Sequence, residues 1–480
     1  MHPRSLGRIW NFRSRVIEGR RARDYNRKRK LRGATSRPLT RRASSAVSGG
    51  RPGPEAPFSM ALLAGLNSIT RTFGQRNFRI YMYGASGSLI GTWTQRIAQG
   101  WLAWELTHSY VWLGIIASAE LFPSVIMAPL AGAITDRWDR KKLAVVSQCF
   151  ACLQAVALCA LILLDLMNIW VLFALATFVG VVFSFSMAVR LALFPSLVER
   201  TYIASAIAIN AAFFSVARFI GPAVGGFIIA QWGIAYAFAF NALSFLGFII
   251  ALTQLKVVRS ETIGRKASSL VADVREGLSY AFRHPGIGPA LLILVAIAFG
   301  VKGMPEMLPG YVDRVLGAGV QAFAQLTAAA GIGACITAVW LAGRLRLSGL
   351  TRLALIHLLI AALALAIFIA WDHFYVGLAC LFVIGGAITV IGTAVQSLMQ
   401  NCVDGAMRGR VMSLYGVIFR GGPALGALMM GIMAEVIGLR VSFAVAASFT
   451  ALSFFWLLRF LPQMTAALEA APDERKSRDW

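Results

Sequence analysis

The sequence predicts an all-α membrane protein with twelve transmembrane helices in two related six-helix halves. Three observations lead to this prediction: an apolar composition, long apolar segments, and a motif that recurs in both halves. Of the 480 residues, 58% are hydrophobic and 14% are charged. A soluble domain carries about 25% charged residues, so lipid must be the solvent of this chain. Transmembrane strands would alternate in hydrophobicity, and continuous runs such as 153–164 exclude them.

The chain begins with a basic segment, residues 1–57, that holds 16 Lys/Arg and 3 Asp/Glu and has no apolar periodicity. This composition predicts a disordered cytoplasmic tail. Basic tails can bind anionic lipid or nucleic acid, but we expect no nucleic acid here. Met60 offers an alternative start, so the translation of residues 1–59 stays open.

Twelve apolar segments follow, each near the 20 residues that cross a bilayer. The amino-terminal half, 75–254, contains 80–104, 112–135, 143–165, 168–189, 205–231 and 234–254. A cytoplasmic linker, 255–287, precedes the carboxy-terminal half, 288–461, which contains 288–311, 320–343, 353–371, 374–399, 411–434 and 438–461. Residues 462–480 are predicted to form a second cytoplasmic tail.

Lys and Arg are concentrated in alternate loops, which gives the predicted orientation. Loop 136–142 has four and the linker has six, whereas the loops near 105–111 and 232 have none. Cytoplasmic loops carry such an excess. We therefore expect a monomeric, multi-pass protein of the inner membrane, surrounded by the lipid bilayer, with both termini in the cytoplasm.

Residues 132–142 read Gly-Ala-Ile-Thr-Asp-Arg-Trp-Asp-Arg-Lys-Lys. Four cations and two acids cannot lie in hydrocarbon, so we expect a tight cytoplasmic loop. Gly132 would allow close helix approach, and Asp136 would cap a helix or lie against a helix N-terminus. We predict a cytoplasmic gate formed by Gly132, Asp136, Arg137, Arg140 and Lys141.

A glycine–proline motif supports the division into halves. Gly221-Pro222-Ala-Val-Gly225 in the fifth segment recurs as Gly422-Pro423-Ala-Leu-Gly426 in the eleventh. Glycines allow close packing and proline kinks a helix. We predict that Gly221, Pro222 and Gly225 seal the pathway on the non-cytoplasmic side. The alternative is a packing motif without a role in coupling.

These motifs resemble those of the major facilitator superfamily. Residues 132–142 are similar to its signature between the second and third helices, with Asp139 where the pattern has glycine. The motif at 221–226 resembles its antiporter signature. Residues 91–107, 195–226 and 408–413 resemble the branch of enterobactin exporters and macrolide efflux proteins.

The resemblance implies a major facilitator fold whose helices one, four, seven and ten line a cavity. It also implies a secondary active transporter that exports small organic molecules, such as siderophores, macrolides or other amphiphiles, in exchange for protons. The alternatives are an importer, a lipid transporter, or a non-transporting receptor or scaffold. No Walker loop, metal-ligand cluster or Gly-x-Ser-x-Gly motif is present in the sequence. We therefore expect no enzyme activity, no cofactor and no metal, and the expected partners are a small-molecule substrate and protons.

Ionisable residues inside membrane segments are costly and usually face a cavity or a partner. The candidates for substrate and proton coupling are Arg96, Glu120, Arg218, Lys302, Glu306 and Arg420. The structural alternative is that Lys302 and Glu306, four residues apart, neutralise each other, and that Arg218 and Arg420 lock helices together. Glycines and prolines around Lys302 predict a bent or broken helix.

The proton carrier is expected to be Glu120 or Glu306, because desolvation favours a neutral carboxyl and a nearby cation favours the charged form. Lys302 is expected to pair with Glu306, whereas Glu120 needs a cation from another helix, so Glu120 is the preferred carrier. Polar side chains near these charges are predicted to line the cavity: Gln95, Gln99, Thr389, Thr393 and Gln396.

Overall fold

The computed structural model describes residues 69–256, 270–344, 347–403 and 407–469. The regular structure of these residues is helical, as expected where lipid offers the backbone no hydrogen-bond partner. The tail 1–57, residues 257–269 of the linker and residues 470–480 lie outside the described part. The helices of the amino-terminal half are α1 (Arg76–Thr107), α2 (Tyr110–Ile126), α3 (Ala128–Arg137), α4 (Arg140–Leu163), α5 (Ile169–Leu193), α6 (Ile203–Trp232) and α7 (Ile234–Gln254).

The second half begins with a helix inside the predicted linker, α8 (Leu270–Arg283), and ends with a short helix inside the predicted tail, α17 (Leu461–Leu468). Between them lie α9 (Ile287–Phe299), α10 (Leu308–Arg314), α11 (Val320–Ala342), α12 (Leu350–Ala370), α13 (Phe374–Cys402), α14 (Arg408–Gly416), α15 (Gly422–Ile437) and α16 (Leu439–Leu458). A 3₁₀ turn, Met304–Met307, connects α9 to α10, and a π-helical turn, Val417–Gly421, connects α14 to α15.

Ten helical stretches of the described residues are long and apolar enough to cross a membrane. The helices at the first and second predicted segments, α1 and the α2–α3 pair, fall outside that set. The first carries polar residues through its middle, and the second is divided at Met127. The all-helical membrane fold is confirmed, and the count of twelve crossings stays a prediction.

The same helix pairings occur in both halves. In the first, α1 packs against α6 and α7, α4 against α5 and α7, and α2 against α5. In the second, α9 packs against α15 and α16, α12 against α13 and α16, and α11 against α13. Between the halves, α2 packs against α15 and α6 against α11. This correspondence supports the two related halves that the recurring motif predicts.

The recurring glycines make equivalent contacts. A methyl group at Gly221 would collide with the Cβ of Trp93 in α1, and one at Gly426 would collide with the carbonyl of Ala298 in α9. Gly225 lies so close to α1 that an added Cβ would be 3.2 Å from the Thr94 carbonyl oxygen. The motif therefore lets α6 and α15 press against α1 and α9, which only residues without a side chain permit.

The loop predicted at 132–142 is shorter than expected. Residues 132–137 continue α3, and only Trp138 and Asp139 form the turn before α4. Gly132 has no neighbouring atom within 4 Å of an added Cβ, so its predicted close approach to another helix is wrong. The side chain of Asp136 lies outside the described residues. Asp139 caps α4 by accepting a hydrogen bond of 3.0 Å from the Lys142 backbone N–H.

Candidate functional site

Arg96 lies at the centre of the bundle between two carboxylates. Its guanidinium donates a hydrogen bond of 2.6 Å to Glu306 Oε1 and lies 3.6 Å from Glu120 Oε1. Glu120 belongs to α2, in the same half as Arg96, whereas Glu306 belongs to the 3₁₀ turn of the other half. One of the two contacts therefore joins the halves, and the other does not. The partner of Glu120 comes from another helix, as predicted.

Lys302 does not pair with Glu306, which corrects the predicted internal pair. The i, i+4 argument requires a continuous helix, but α9 ends at Phe299 and the chain turns before Glu306. This break confirms the predicted interruption of the seventh segment. The Lys302 ammonium instead donates to the Phe419 carbonyl oxygen at 2.5 Å and lies 3.4 Å from the centroid of the Phe419 ring.

Arg218 lies over the Trp93 ring, with 5.9 Å from its guanidinium carbon to the ring centroid, and Arg96 lies at 5.8 Å from the same centroid. Arg420 sits in the π-helical turn and is exposed. Among the described residues, neither Arg218 nor Arg420 has a carboxylate within 4.0 Å. The predicted locking of helices by these two arginines is therefore not made through ion pairs.

Shared aromatic contacts connect the predicted ionisable residues. Arg96 and Arg218 both lie against the Trp93 ring, and Lys302 contacts Phe419, which precedes Arg420 in the π-helical turn. Together with Glu120 and Glu306, these side chains form a cluster to which both halves contribute. It contains four cations and two carboxylates, and both carboxylates face Arg96. The excess of positive charge lies on the other three side chains.

Gln95, predicted to line the cavity, lies instead inside the amino-terminal half. Its side-chain amide donates 3.0 Å to Gln154 of α4, and its carbonyl accepts 2.7 Å from Asn241 of α7. Gln99 is also buried. On α13, Thr393 is exposed and Thr389 and Gln396 are half-buried, so cavity lining stays a prediction for these three.

The carboxy-terminal ends of α1, α10 and α15 lie on the side that the charge pattern of the loops assigns to the non-cytoplasmic face. We call this side the outer end. There the Trp104 indole N–H donates 2.9 Å to Asp313, and Glu435 accepts 3.0 Å from the Tyr110 backbone N–H. Arg314 donates 2.5 Å to the His108 carbonyl oxygen. These bonds close the outer end between the halves. Sequence reasoning missed these bonds because the charged residues fall just outside the predicted apolar segments, and their partners are backbone groups and an indole.

At the inner end, the described bonds of the predicted gate stay within the amino-terminal half. Lys141 donates 2.7 Å to each of the carbonyl oxygens of Thr253 and Leu255, and Arg140 donates 3.1 Å to that of Ala192. Arg137 is exposed. The turn thus ties α4 to the ends of α5 and α7. A gating role for these residues stays a proposal.

The geometry can support a switch between two arrangements. A bond between the halves at Arg96, below a closed outer end, would have to break before that end could open.

The class of protein follows from the fold and the site. Ten apolar helical stretches and a charged centre shared by two similar halves define a membrane transporter of the major facilitator type. The comparisons agree, since a family model described as "Transmembrane secretion effector" matches residues 68–478, so the chain belongs to that family.

Curated relatives of the chain are transporters. It is 25% identical to a staphyloferrin A transporter of Staphylococcus aureus over 76% of this chain and 91% of the relative. It is 26% identical to the enterobactin exporter EntS of Escherichia coli over 68% of this chain and 77% of the relative. A protein described as an uncharacterized MFS-type transporter, YfiS of Bacillus subtilis, is 25% identical over 75% of this chain and 87% of the relative.

Solved structures of low sequence identity share the fold. The xylose transporter XylE from E. coli in an inward open conformation matches 82% of this chain and 100% of its own, with a TM-score of 0.63 and 13% identity. The nucleoside transporter NupG matches 80% of this chain and 99% of its own, with a TM-score of 0.62 and 12% identity. These likenesses show the fold, and the family match over residues 68–478 makes the protein a membrane transporter rather than an enzyme.

Proposed function

We propose that the protein is a secondary active transporter of the inner membrane that exports small organic molecules in exchange for protons by alternating access. The observation that carries the proposal is the position of Arg96, held by one carboxylate from each half. The relatives named as an enterobactin exporter and a staphyloferrin A transporter support a siderophore or similar amphiphile as the cargo. Both termini lie in the cytoplasm under this proposal, and one chain suffices for transport.

The closed outer end supports the assignment of this conformation as inward-facing. Bonds at Trp104, Tyr110 and Arg314 connect the halves there, whereas Lys141 at the inner end contacts its own half. Export begins when a molecule enters from the cytoplasm. The halves then separate at the outer end, and the Arg96–Glu306 contact breaks because its partners lie on different halves.

The same geometry makes Glu306 the proposed coupling carboxylate, in preference to Glu120. Glu120 stays in the half of Arg96 and can hold the guanidinium in both conformations. Glu306 loses Arg96 when the outer end opens, and without this nearby cation its charged form is less favoured. It then accepts a proton from outside. When the halves close again, Arg96 favours the charged carboxylate, and the proton leaves toward the cytoplasm.

The test measures movement of enterobactin and staphyloferrin A in vesicles that contain the purified full chain, with and without an imposed pH gradient. Glu306→Gln should abolish the response to the gradient while leaving exchange of substrate across the membrane. Asp372→Asn, in an outer loop where Asp372 pairs with Arg440, is the matched control and should respond as the natural chain does. Full pH-driven efflux by the Glu306→Gln variant would contradict proton coupling through this residue.

A further inference from the structure

The charges at the centre of the bundle do not balance. Glu120 and Glu306 both face Arg96, so this trio has one cation and two carboxylates. Lys302, Arg218 and Arg420 have no carboxylate within 4.0 Å among the described residues. A cation in a membrane segment is expensive unless a partner or water compensates it. With the one surplus negative charge of the trio, the cluster keeps a net charge of +2, which calls for negative charge from outside the chain.

Lys302 and Arg218 also retain N–H groups that have no described acceptor and can bind a ligand. An ammonium has three N–H donors, and Lys302 directs one of them to the Phe419 carbonyl oxygen. A guanidinium has five donors, and the described contact of Arg218 is with the face of Trp93 rather than with an acceptor. These groups can bind two or more oxygen atoms of an anion without giving up the contacts that hold them in place.

Aromatic rings stand beside the unpaired cations. Phe419 lies under Lys302 and stacks on Tyr415 with 5.4 Å between ring centroids, and Trp93 lies under Arg218. Sites for small organic molecules combine apolar walls with a few polar groups that fix orientation. The rings hold the cations by cation–π attraction and offer apolar surface to the carbon skeleton of a ligand.

We propose that Arg218, Lys302 and Arg420 form the binding site for the transported molecule, and that this molecule is an organic anion with at least two negative charges. The inference rests on the proposed transport function and adds the substrate class. Arg218 comes from α6 of the first half, and the other two cations come from the second half. A bound anion therefore contacts both halves, in the same region where Arg96 contacts Glu306 of the second half.

The test is equilibrium binding to the purified full chain in detergent, read as the rise in melting temperature with ligand concentration. The probe is propane-1,2,3-tricarboxylate, and the matched probes are its neutral trimethyl ester and the tetraphenylphosphonium cation. The trianion should stabilise the protein saturably, and the two matched probes should not. Each of Arg218→Gln, Lys302→Gln and Arg420→Gln should weaken binding by about tenfold or more, since each removes charged hydrogen bonds. Arg440→Gln, at the outer surface, should leave it unchanged.

Several results would overturn the proposal. They are equal stabilisation by the trianion and its ester, no stabilisation by the trianion, and unchanged binding in the three variants. Loss of the trianion effect when phosphatidylglycerol is added would show that the cations hold a lipid phosphate instead. Because a Gln variant can fail to fold, Lys302→Arg is measured as well and should bind the trianion more tightly than Lys302→Gln does, since arginine retains the charge; equal binding by the two variants would contradict a role for this charge.

The outcome is separable from that of the transport proposal. The binding measurement uses no membrane gradient, so trianion binding by a chain that moves nothing would refute transport and keep the anion site. Conversely, pH-driven export of the neutral ester at the rate of the trianion would refute the anion site and keep the transporter.

Discussion

Glu306→Gln should open the outer end of the bundle far more than Glu120→Gln. The Arg96–Glu306 contact is a charged hydrogen bond of 2.6 Å between the halves, whereas the Arg96–Glu120 contact is 3.6 Å long and lies within one half. A hydrogen bond to a charged group contributes about 1.5–3 kcal/mol. Both side chains are about a third accessible, at 30% and 27%, so we take the lower value. A loss of about 1.4 kcal/mol corresponds to a tenfold change in the open population.

The assay uses Ser118, which is buried between α2 and α15 and donates 2.9 Å to the Ala424 carbonyl oxygen. In a Ser118→Cys background, a membrane-impermeant maleimide added from outside labels the thiol only when the halves separate. The chain with its native cysteines alone gives the background rate. Glu306→Gln should raise the labelling rate about tenfold.

Glu120→Gln should change the same rate by no more than about twofold, because a contact of this length and accessibility contributes well under 1 kcal/mol. Equal rates for the two variants, or faster labelling in Glu120→Gln, would refute the reasoning. Such a result would mean that the contact between the halves at Arg96 does not hold the outer end closed.

Three further variants test other parts of the structure. Asp139→Ala should lower the free energy of unfolding by about 1 kcal/mol, because it removes the N-cap of α4, whereas Asp139→Gly should cost only a few tenths; similar melting temperatures for the two would contradict the cap. Gly221→Ala should destabilise the protein by about 1–3 kcal/mol through overpacking against α1, while Gly132→Ala, where an added methyl group meets nothing, should be tolerated, as denaturation in detergent would show. A chain that begins at Met60 should insert and transport at the natural rate, and loss of transport at normal expression would give the basic tail a role.

Long apolar segments predict most of the fold. The predicted segment 234–254 coincides with α7 (Ile234–Gln254), and the segment 374–399 ends three residues before α13 does. Burial of apolar residues in lipid sets such limits, so composition alone reveals them. The turn at 132–142 was predicted too long because charge was taken as the end of the helix. Charged side chains extend away from a helix end into water, and the backbone of α3 continues to Arg137.

The pairing of side chains was harder to predict than their presence. Residues 302 and 306 would face each other on a continuous helix, but the turn at 300–303 sends Lys302 toward Phe419 and Glu306 toward Arg96. Gln95 and Gln396 are both amides in membrane segments, yet Gln95 is buried with two amide partners, whereas Gln396 is half-accessible. Sequence gives the residue type, and only the packing of neighbouring helices decides between an internal network and a cavity.

The Arg96 trio and the three unpaired cations suggest how substrate binding and opening of the outer end are linked under our proposals. The trio at Arg96 joins the halves through Glu306, and Arg218 lies against the same Trp93 ring as Arg96. A bound polyanion would therefore compete with Glu306 for Arg96, weakening the contact that keeps the outer end closed. Without an anion, the neighbouring cations would repel Arg96, and Arg96 would stay paired with Glu306. Binding energy would then favour opening toward the outside only when cargo is present, which is what an exporter needs to avoid moving protons without substrate.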